Sequence, residues 1–247
     1  MLGCLEDRVS PACQAEEESR ITIGAKLGVW LGVCCLAVVT IPGLAREGKV
    51  LPVDDAANDP SFFAFRQKLI EAARKHDLEF VLSTLDPNIV NSFGGSEGIE
   101  GFKAIWELDK PQTKLWDTLI LVLPLGGSLN VSDQEISFWA PYVFSRWPND
   151  VDSFEYAAII GTNVRVRARP GLDAPMVATL SYDIVKFADQ SWLPAGEAGP
   201  DAWVKIITPA GREGFVSSRY VRSPIDYRIG FIKKDGKWSI THFVAGD

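Results

Sequence analysis

The chain is poor in cysteine and histidine, and this scarcity limits its chemistry. All four cysteines lie within the first 35 of 247 residues, so the rest of the chain has neither a thiol nucleophile nor a disulfide. The two histidines, His76 and His242, lie in unrelated segments without a second ligand at metal-binding spacing. A phosphate-binding Gly-rich loop with its Lys-Ser/Thr continuation does not occur. We therefore expect no enzymatic activity, no cofactor and no metal.

Paired carboxylates are a catalytic arrangement that this scarcity does not exclude. Glu97, Glu100 and Glu107 lie near one another in a predicted helix, and the last two, seven residues apart, share a helix face. Two flanking carboxylates suffice for glycoside hydrolysis. The ordinary interpretation is a solvated helix face, and the alternative is a hydrolytic site.

An excess of basic residues is also missing, since the formal net charge is −7 and the pI is near 5.0. Proteins that bind nucleic acids usually carry a strongly basic patch, so we expect no nucleic-acid partner. Arg165, Arg167 and Arg169 form the only basic stripe, and on a strand they would share one face. Such a stripe is either a solvated, protected sheet edge or a surface for an anionic partner.

Residues 27–41 form an uninterrupted uncharged run. Arg20 and Lys26 precede this run, and small residues ending at Ala45 follow it, which is the order of a secretory signal peptide. Its length is short of the ~20 residues that a membrane span needs. We expect residues 1–45 to be an N-terminal extension and signal peptide cleaved after Ala45. The exported protein would be periplasmic or extracellular; the alternative is that residues 27–41 remain as a membrane anchor.

The next 113 residues change from linker to helix to extended chain. Residues 46–59 are polar and aperiodic, which indicates a linker. Asp59-Pro60 is a helix-start signal, and the apolar residues after it recur at helical spacing through Lys75. Further helical patterns follow until an aromatic, extended region begins near residue 131. We predict an α-rich α+β domain over 60–158.

Short β-rich runs and turns fill residues 163–222. The runs are 164–167, 174–180, 184–187, 203–206 and 214–216, with Ser-Ser-Arg-Tyr-Val at 217–221 as a closing turn. This layout, about 60 residues long, resembles a bacterial SH3-like (SH3b) domain. The resemblance implies a small SH3-like β-barrel over 159–224. Such barrels bind cell-wall peptides or protein partners through aromatic-lined grooves.

The resemblance points to four aromatic side chains as the ligand-binding residues: Tyr182, Trp192, Trp203 and Tyr220. Tyr182 and Asp183 stand where the family commonly has glycine. Trp192 lies in a long insertion, 188–202, into what is usually a short loop, and such loops are usually functional or mobile. Trp203 begins a strand, and its alternative role is to fill the barrel core.

Residues 225–247 are predicted to form a C-terminal β-hairpin, because two β-rich runs flank Asp235-Gly236. The hairpin is either an extra ribbon on the barrel or the closing part of the 60–158 domain. The second option makes the barrel an insertion. The helix–helix–strand–helix opening and the closing Gly-Lys-Trp strand are similar to NTF2-like cone folds, although too few predicted strands remain for a complete cone.

Other aromatic residues leave two further interpretations open. The run from Phe138 to Trp147 is either core or a platform for sugars. Trp106, Trp116 and Phe138 are candidates to line a small-ligand pocket in the helical domain.

The sequence thus predicts an α+β protein with a mostly helical N-terminal region, a small SH3-like β-barrel and a C-terminal β-hairpin. We expect a non-catalytic exported protein that binds a cell-wall peptide or an envelope protein. The alternative is a cell-wall hydrolase or hydrolase regulator with a carboxylate site in the helical domain. Membrane contact is expected only if the N-terminal segment is retained.

Overall fold

The computed structural model describes residues 48–95, 98–189 and 202–246, all within one compact unit, Ile41–Asp247. The predicted signal peptide with its cleavage site after Ala45, and the predicted site residues Glu97 and Trp192, lie outside the described residues. Within the described ranges, no helix is long and apolar enough to cross a membrane.

Short helices and strands alternate along the described chain. The α-helices are α1 (Pro60–Lys75), α2 (Leu78–Ser83), α3 (Gly98–Ile105), α4 (Leu115–Val122) and α5 (Tyr142–Ser145). The strands are β1 (Leu85–Val90), β2 (Ser128–Val131), β3 (Ile136–Ala140), β4 (Tyr156–Ile159), β5 (Val164–Arg167), β6 (Met176–Leu180), β7 (Ile184–Phe187), β8 (Trp203–Ile207), β9 (Glu213–Ser217), β10 (Val221–Arg222), β11 (Arg228–Lys234) and β12 (Lys237–Val244). Turns of 3₁₀ helix cover Asp55–Asn58, Leu123–Leu125 and Ser218–Tyr220.

The predicted fold class is wrong, because the described protein is mostly β. Its strands form sheets of five and seven strands, and four of its five α-helices have eight residues or fewer. The predicted, mostly helical N-terminal region is therefore not present. One reason for the wrong prediction is β1. This strand contains Asp86-Pro87, a dipeptide that in a sequence indicates the end of a helix. Its strand partner β12 lies at the other end of the chain, beyond the reach of local patterns.

The five-stranded sheet has the order β1-β12-β11-β3-β2, with β1 and β12 parallel and the other pairs antiparallel. The hairpin β11–β12, which turns at Asp235 and Gly236, lies at its centre. The sheet therefore combines strands from both ends of the described chain. The seven-stranded sheet is formed by the chain that runs between β3 and β11.

The main apolar core lies between the helices and one face of the five-stranded sheet. Phe62 of α1 is completely buried at its centre. Its ring centroid lies 4.1 Å from that of Phe138 on β3, 4.7 Å from Trp238 on β12 and 5.2 Å from Phe231 on β11. One helix thus packs against three adjacent strands, two of which come from the C-terminal hairpin.

The seven-stranded sheet has the order β10-β4-β7-β8-β9-β5-β6, and all its pairs are antiparallel. Its own apolar core includes Val166, Ile206 and Val216, which are completely buried. A further cluster that includes Val50, Tyr142 and Ile184 joins this sheet to α5 and the N-terminal segment. Both sheets therefore pack into one continuous structure.

Residues 48–59, which the sequence suggests are a linker, contact both sheets. Lys49 forms a β-bridge with Asp183, and its Nζ lies 2.9 Å from the Asp183 carboxylate. Asp54 forms a bridge with Gly127 and accepts two hydrogen bonds of 2.7 Å from the guanidinium of buried Arg66. This segment is therefore held at both ends.

Asp59 begins α1 and is expected to make the stability of the protein depend on acidic pH. Its carboxylate accepts hydrogen bonds from the Ser61 and Phe62 backbone N–H groups and lies 2.8 Å from Lys233 Nζ. Burial raises the pKa of Asp59, but the hydrogen bonds from Lys233, Ser61 and Phe62 outweigh it and lower the pKa from 3.8 to about 2. The folded protein thus binds this proton more weakly than the unfolded chain. The stabilisation is complete above about pH 4 and is lost as the pH falls through about 2.

We therefore expect Asp59→Ala to lower the free energy of unfolding by about 1–2 kcal/mol at pH 7. The difference from the wild type should shrink between pH 4 and pH 2. Asp59→Asn retains a capping oxygen without the charge, so its free energy of unfolding should fall by less than that of Asp59→Ala. Urea unfolding at several pH values measures all three proteins. An equal loss for Asp59→Ala at pH 7 and pH 2 would show that the carboxylate charge contributes nothing.

Candidate functional site

Antiparallel pairing brings two of the predicted site residues to one end of the seven-stranded sheet. Trp203, the first residue of β8, pairs with Ser217, the last residue of β9. The Ser218 N–H donates a hydrogen bond of 2.9 Å to the Ala202 carbonyl. The 3₁₀ turn that carries Tyr220 follows directly, so its ring belongs to the same end of the sheet as Trp203.

Tyr182 reaches this region from the connection between β6 and β7. Its N–H donates to the Gly161 carbonyl at 3.1 Å, and the Ile160 N–H donates to the Tyr220 carbonyl at 3.0 Å. A Cβ built on Gly161 would lie 3.6 Å from Cδ1 of Tyr220, so this ring packs beside the glycine. Tyr182 and Tyr220 therefore flank the same two residues. We call Tyr182, Trp203 and Tyr220 the aromatic corner.

The aromatic corner is accessible to solvent. Tyr220 is 49% exposed, and Tyr182 and Trp203 are half-buried. Trp203 is therefore not a fully buried core residue. The described residues stop at Asp189 and resume at Ala202, next to Trp203. The insertion that contains Trp192 therefore precedes Trp203 directly in the sequence.

Tyr182 has an unusual backbone conformation, with φ at 61°. A bulky residue in this left-handed region is a conformational outlier, and glycine is the residue that adopts it without strain. The SH3b family, which residues 163–222 resemble, commonly has glycine between the strands that correspond to β6 and β7. Backbone strain of this kind is concentrated at functional sites, so the Tyr182 ring is a candidate contact residue.

Behind Tyr182 lies Tyr142 of α5, which is buried. Burial raises the pKa of Tyr142 to about 12, and the neighbouring Tyr182 adds to the effect. Tyr142 is therefore uncharged at neutral pH. Asp183, the residue after Tyr182, pairs with Lys49, so an ion pair lies beside the corner.

The predicted small-ligand residues lie in the main core instead. Phe138 is completely buried against Phe62. Trp106 packs on Phe243 at 4.7 Å between ring centroids, and Trp116 stacks on His76 at 5.0 Å. Each of these three rings packs against a different aromatic partner. The structure therefore does not arrange Trp106, Trp116 and Phe138 around one ligand pocket.

The predicted carboxylates do not share a helix face. Helix α3 ends at Ile105, and Glu107 beyond it has a φ of 47°, outside helical geometry. Glu100 and Glu107 are exposed, and each pairs with the lysine three residues later in the chain. Among the described residues, these carboxylates therefore lie on a solvated surface.

The arginine stripe lies on the outer side of β5, since Val164 and Val166 are buried between exposed or half-buried arginines. Arg167 donates a hydrogen bond of 2.6 Å to the Ala174 carbonyl. Arg169 lies 3.0 Å from the Asp173 carboxylate. Two of the three arginines thus make contacts within their own hairpin.

A cleft lies on the other face of the five-stranded sheet, and part of the aromatic run from Phe138 to Trp147 lines it. Strand alternation along β3 separates Phe138, which faces the helices, from Trp139, which faces away. The cleft has a volume of about 530 Å³. It is lined by Asn130, Trp139, Phe144, Ser145, Trp147, Pro148, Asn149, Val151, Ser153, Pro224, Ile225 and Arg228. The sequence left open whether this run is core or a platform for sugars, and alternation along β3 assigns Phe138 to the core and Trp139 to the cleft.

No group of three or more His, Cys, Asp or Glu side chains in the described part of the chain is placed to hold a metal ion. Comparison with family models, with curated proteins and with solved structures found no match.

Proposed function

We propose that this chain is an exported, non-catalytic binding protein and that a cell-envelope peptide or protein segment binds at the aromatic corner. The observation that carries the proposal is that Tyr182 and Tyr220 come from separate segments and flank Gly161 and Ile160, while Tyr220 follows directly after the strand end that pairs with Trp203. All three rings are exposed or half-buried. Large aromatic side chains provide contact area at low entropic cost and are enriched among residues that dominate binding energy.

The strand arrangement around the corner supports an SH3-like barrel. Strands β7, β8 and β9 form an antiparallel meander, and the 3₁₀ turn with Tyr220 leads into β10, which pairs with β4. The hairpin β5–β6 stands beside β9. Barrels of this type bind extended, often proline-rich peptides in aromatic-lined grooves. The segment with the signal-peptide pattern would deliver such a barrel to the cell envelope.

The test compares the full-length wild type with Tyr220→Ala and Tyr182→Gly. The probe is the soluble peptide fraction released from purified peptidoglycan by an amidase, and affinity is measured by titration calorimetry. We expect each substitution to weaken binding at least about tenfold, the effect of losing roughly 1.4 kcal/mol of contact energy. Phe63→Ala, at a 45%-exposed position on α1, should bind like the wild type.

Tyr182→Gly separates binding from folding. Glycine relieves the left-handed strain but is itself more flexible in the unfolded chain, so the free energy of unfolding should change by less than about 1 kcal/mol. Binding by both variants as tight as that of the wild type would exclude the aromatic corner as the site. Failure of the wild type to bind would exclude wall peptides. The same variants would then be compared for crosslinking to envelope proteins.

A further inference from the structure

The cleft is a second site whose walls come from four parts of the chain. Asn130 of β2 and Trp139 of β3 form the wall on the five-stranded sheet. Helix α5 and the residues after it, 144–153, form the opposite side, and residues 224–228 close one end. Its volume of about 530 Å³ lies within the range of about 300–1,000 Å³ that is usual for small-molecule sites.

Trp139 is fixed flat on the sheet. It pairs across the ladder with Gly230, and a Cβ at Gly230 would lie only 2.8–3.0 Å from three carbons of the indole. The six-membered part of the ring therefore occupies the space that a side chain at position 230 would fill. Phe144 and His242 flank it, with ring centroids 5.3 and 5.0 Å away. Burial lowers the pKa of His242, against the opposing charge of Glu135, so this neighbour is neutral at neutral pH.

Other parts of the lining are also held in place. The Trp147 indole N–H donates a hydrogen bond of 2.9 Å to the Val151 carbonyl. The Arg228 guanidinium lies 5.0 Å from the centroid of the Phe144 ring and donates to the Ile225 carbonyl at 3.2 Å. A ligand would therefore meet rings and backbone that are already ordered, which reduces the entropic cost of binding.

The polar groups of the lining are mostly neutral. Asn130 and Asn149 are exposed amides that both donate and accept hydrogen bonds. Ser145 and Ser153 add hydroxyl groups, and Ser145 Oγ lies 3.0 Å from Ser128 Oγ. Amides and hydroxyls beside a flat, immobile indole complement a ligand with one apolar face and a rim of hydroxyl groups.

We propose that the cleft binds a saccharide, with one sugar ring packed on Trp139. The C–H groups on one face of a pyranose ring are apolar and slightly positive, and they pack on the negative face of an indole. The hydroxyl groups at the sugar edge then pair with Asn130, Asn149, Ser145 and Ser153. A peptide is the competing occupant. The indole of Trp139 is half-buried and held against Gly230, and such a rigid flat surface favours a ring over an extended chain.

The test is a screen of the full-length protein on immobilised oligosaccharides of hexoses, N-acetylhexosamines and uronic acids, followed by calorimetry with the best soluble ligand. Trp139→Ala should weaken binding at least about tenfold, as expected for loss of a central aromatic contact. Asn130→Ala, at an exposed position on β2 where folding is not at risk, should weaken it about threefold to tenfold. Phe63→Ala should bind like the wild type, because Phe63 is exposed on α1, which packs on the opposite face of the five-stranded sheet.

Three results would overturn this inference. The first is the absence of saccharide binding by the wild type, or binding that neither Trp139→Ala nor Asn130→Ala weakens. The second is selection from a displayed peptide library of sequences whose binding needs both Trp139 and Asn130, in a protein that binds no saccharide. Loss of saccharide binding in Tyr220→Ala with retention in Trp139→Ala would move the sugar site to the aromatic corner.

Discussion

Replacement of Asp226 by alanine is expected to lower the free energy of unfolding by about 3–5 kcal/mol. Asp226 and Arg222 are both almost completely buried, with Arg222 Nη1 3.5 Å from Asp226 Oδ2. Burial lowers the pKa of Arg222, and the charge of Asp226 opposes this effect. Without the carboxylate, the guanidinium would keep the Tyr227 carbonyl at 2.6 Å but lose its buried counter-charge. Urea unfolding followed by tryptophan fluorescence measures the loss.

This pair lies where the chain passes from β10 of the seven-stranded sheet to β11 of the five-stranded sheet. Asp226→Asn keeps an oxygen for the Tyr227 N–H, which donates to Asp226 at 2.6 Å, so it should cost less than alanine. The double variant Arg222→Met with Asp226→Leu should also be more stable than Asp226→Ala, because no charge stays buried without its partner. A loss below about 1 kcal/mol for Asp226→Ala would contradict the buried-charge argument.

Phe62→Ala should be comparably severe, with a loss of about 3–5 kcal/mol. Phe62 is completely buried and contacts rings on β3, β11 and β12, so alanine leaves a cavity at the point where three strands meet α1. The cavity would separate the first helix from the C-terminal hairpin. Urea unfolding again gives the free energy, and its denaturant midpoint should fall accordingly.

The neighbouring residue provides a matched control. Phe63 is 45% exposed on the same helix, so Phe63→Ala removes the same atoms without opening a core cavity. Its loss should stay within about 0.5 kcal/mol, as for most surface substitutions. Equal losses for the two variants would mean that α1 does not pack on the sheet as the structure has it.

Local signals in the sequence identified several elements correctly. Helix α1 covers Pro60–Lys75 as predicted, because Asp59 caps it and its apolar residues repeat at helical spacing. Asp77 caps α2 by accepting a hydrogen bond from the Phe80 N–H. The turn at Asp235-Gly236 joins β11 to β12. Each of these signals acts over a few residues, so it can be recognised in the sequence without knowledge of the tertiary structure.

The site could be predicted only in part. The family resemblance selected Trp203 and Tyr220 from their motifs, and both lie at one accessible end of the sheet, although their role in binding stays a prediction. The resemblance also marked Tyr182 as a departure from glycine, but the left-handed backbone that gives this departure meaning is visible only in the structure. The aromatic run from Phe138 to Trp147 was recognised, but the sequence alone did not assign its members to the core or to the cleft.

The sequence by itself determined the caps, the hairpin turn and the confinement of cysteine to the N-terminal segment, since these depend on residue type and near neighbours. Tertiary structure alone decided that β1 pairs with β12, that the hairpin occupies the centre of a five-stranded sheet, and that Gly230 lies beneath Trp139. The physical reason is that strand pairing depends on register and burial between distant segments. Shifting a register by one residue exchanges the two faces of a strand, so the same aromatic sequence can be either core or binding surface.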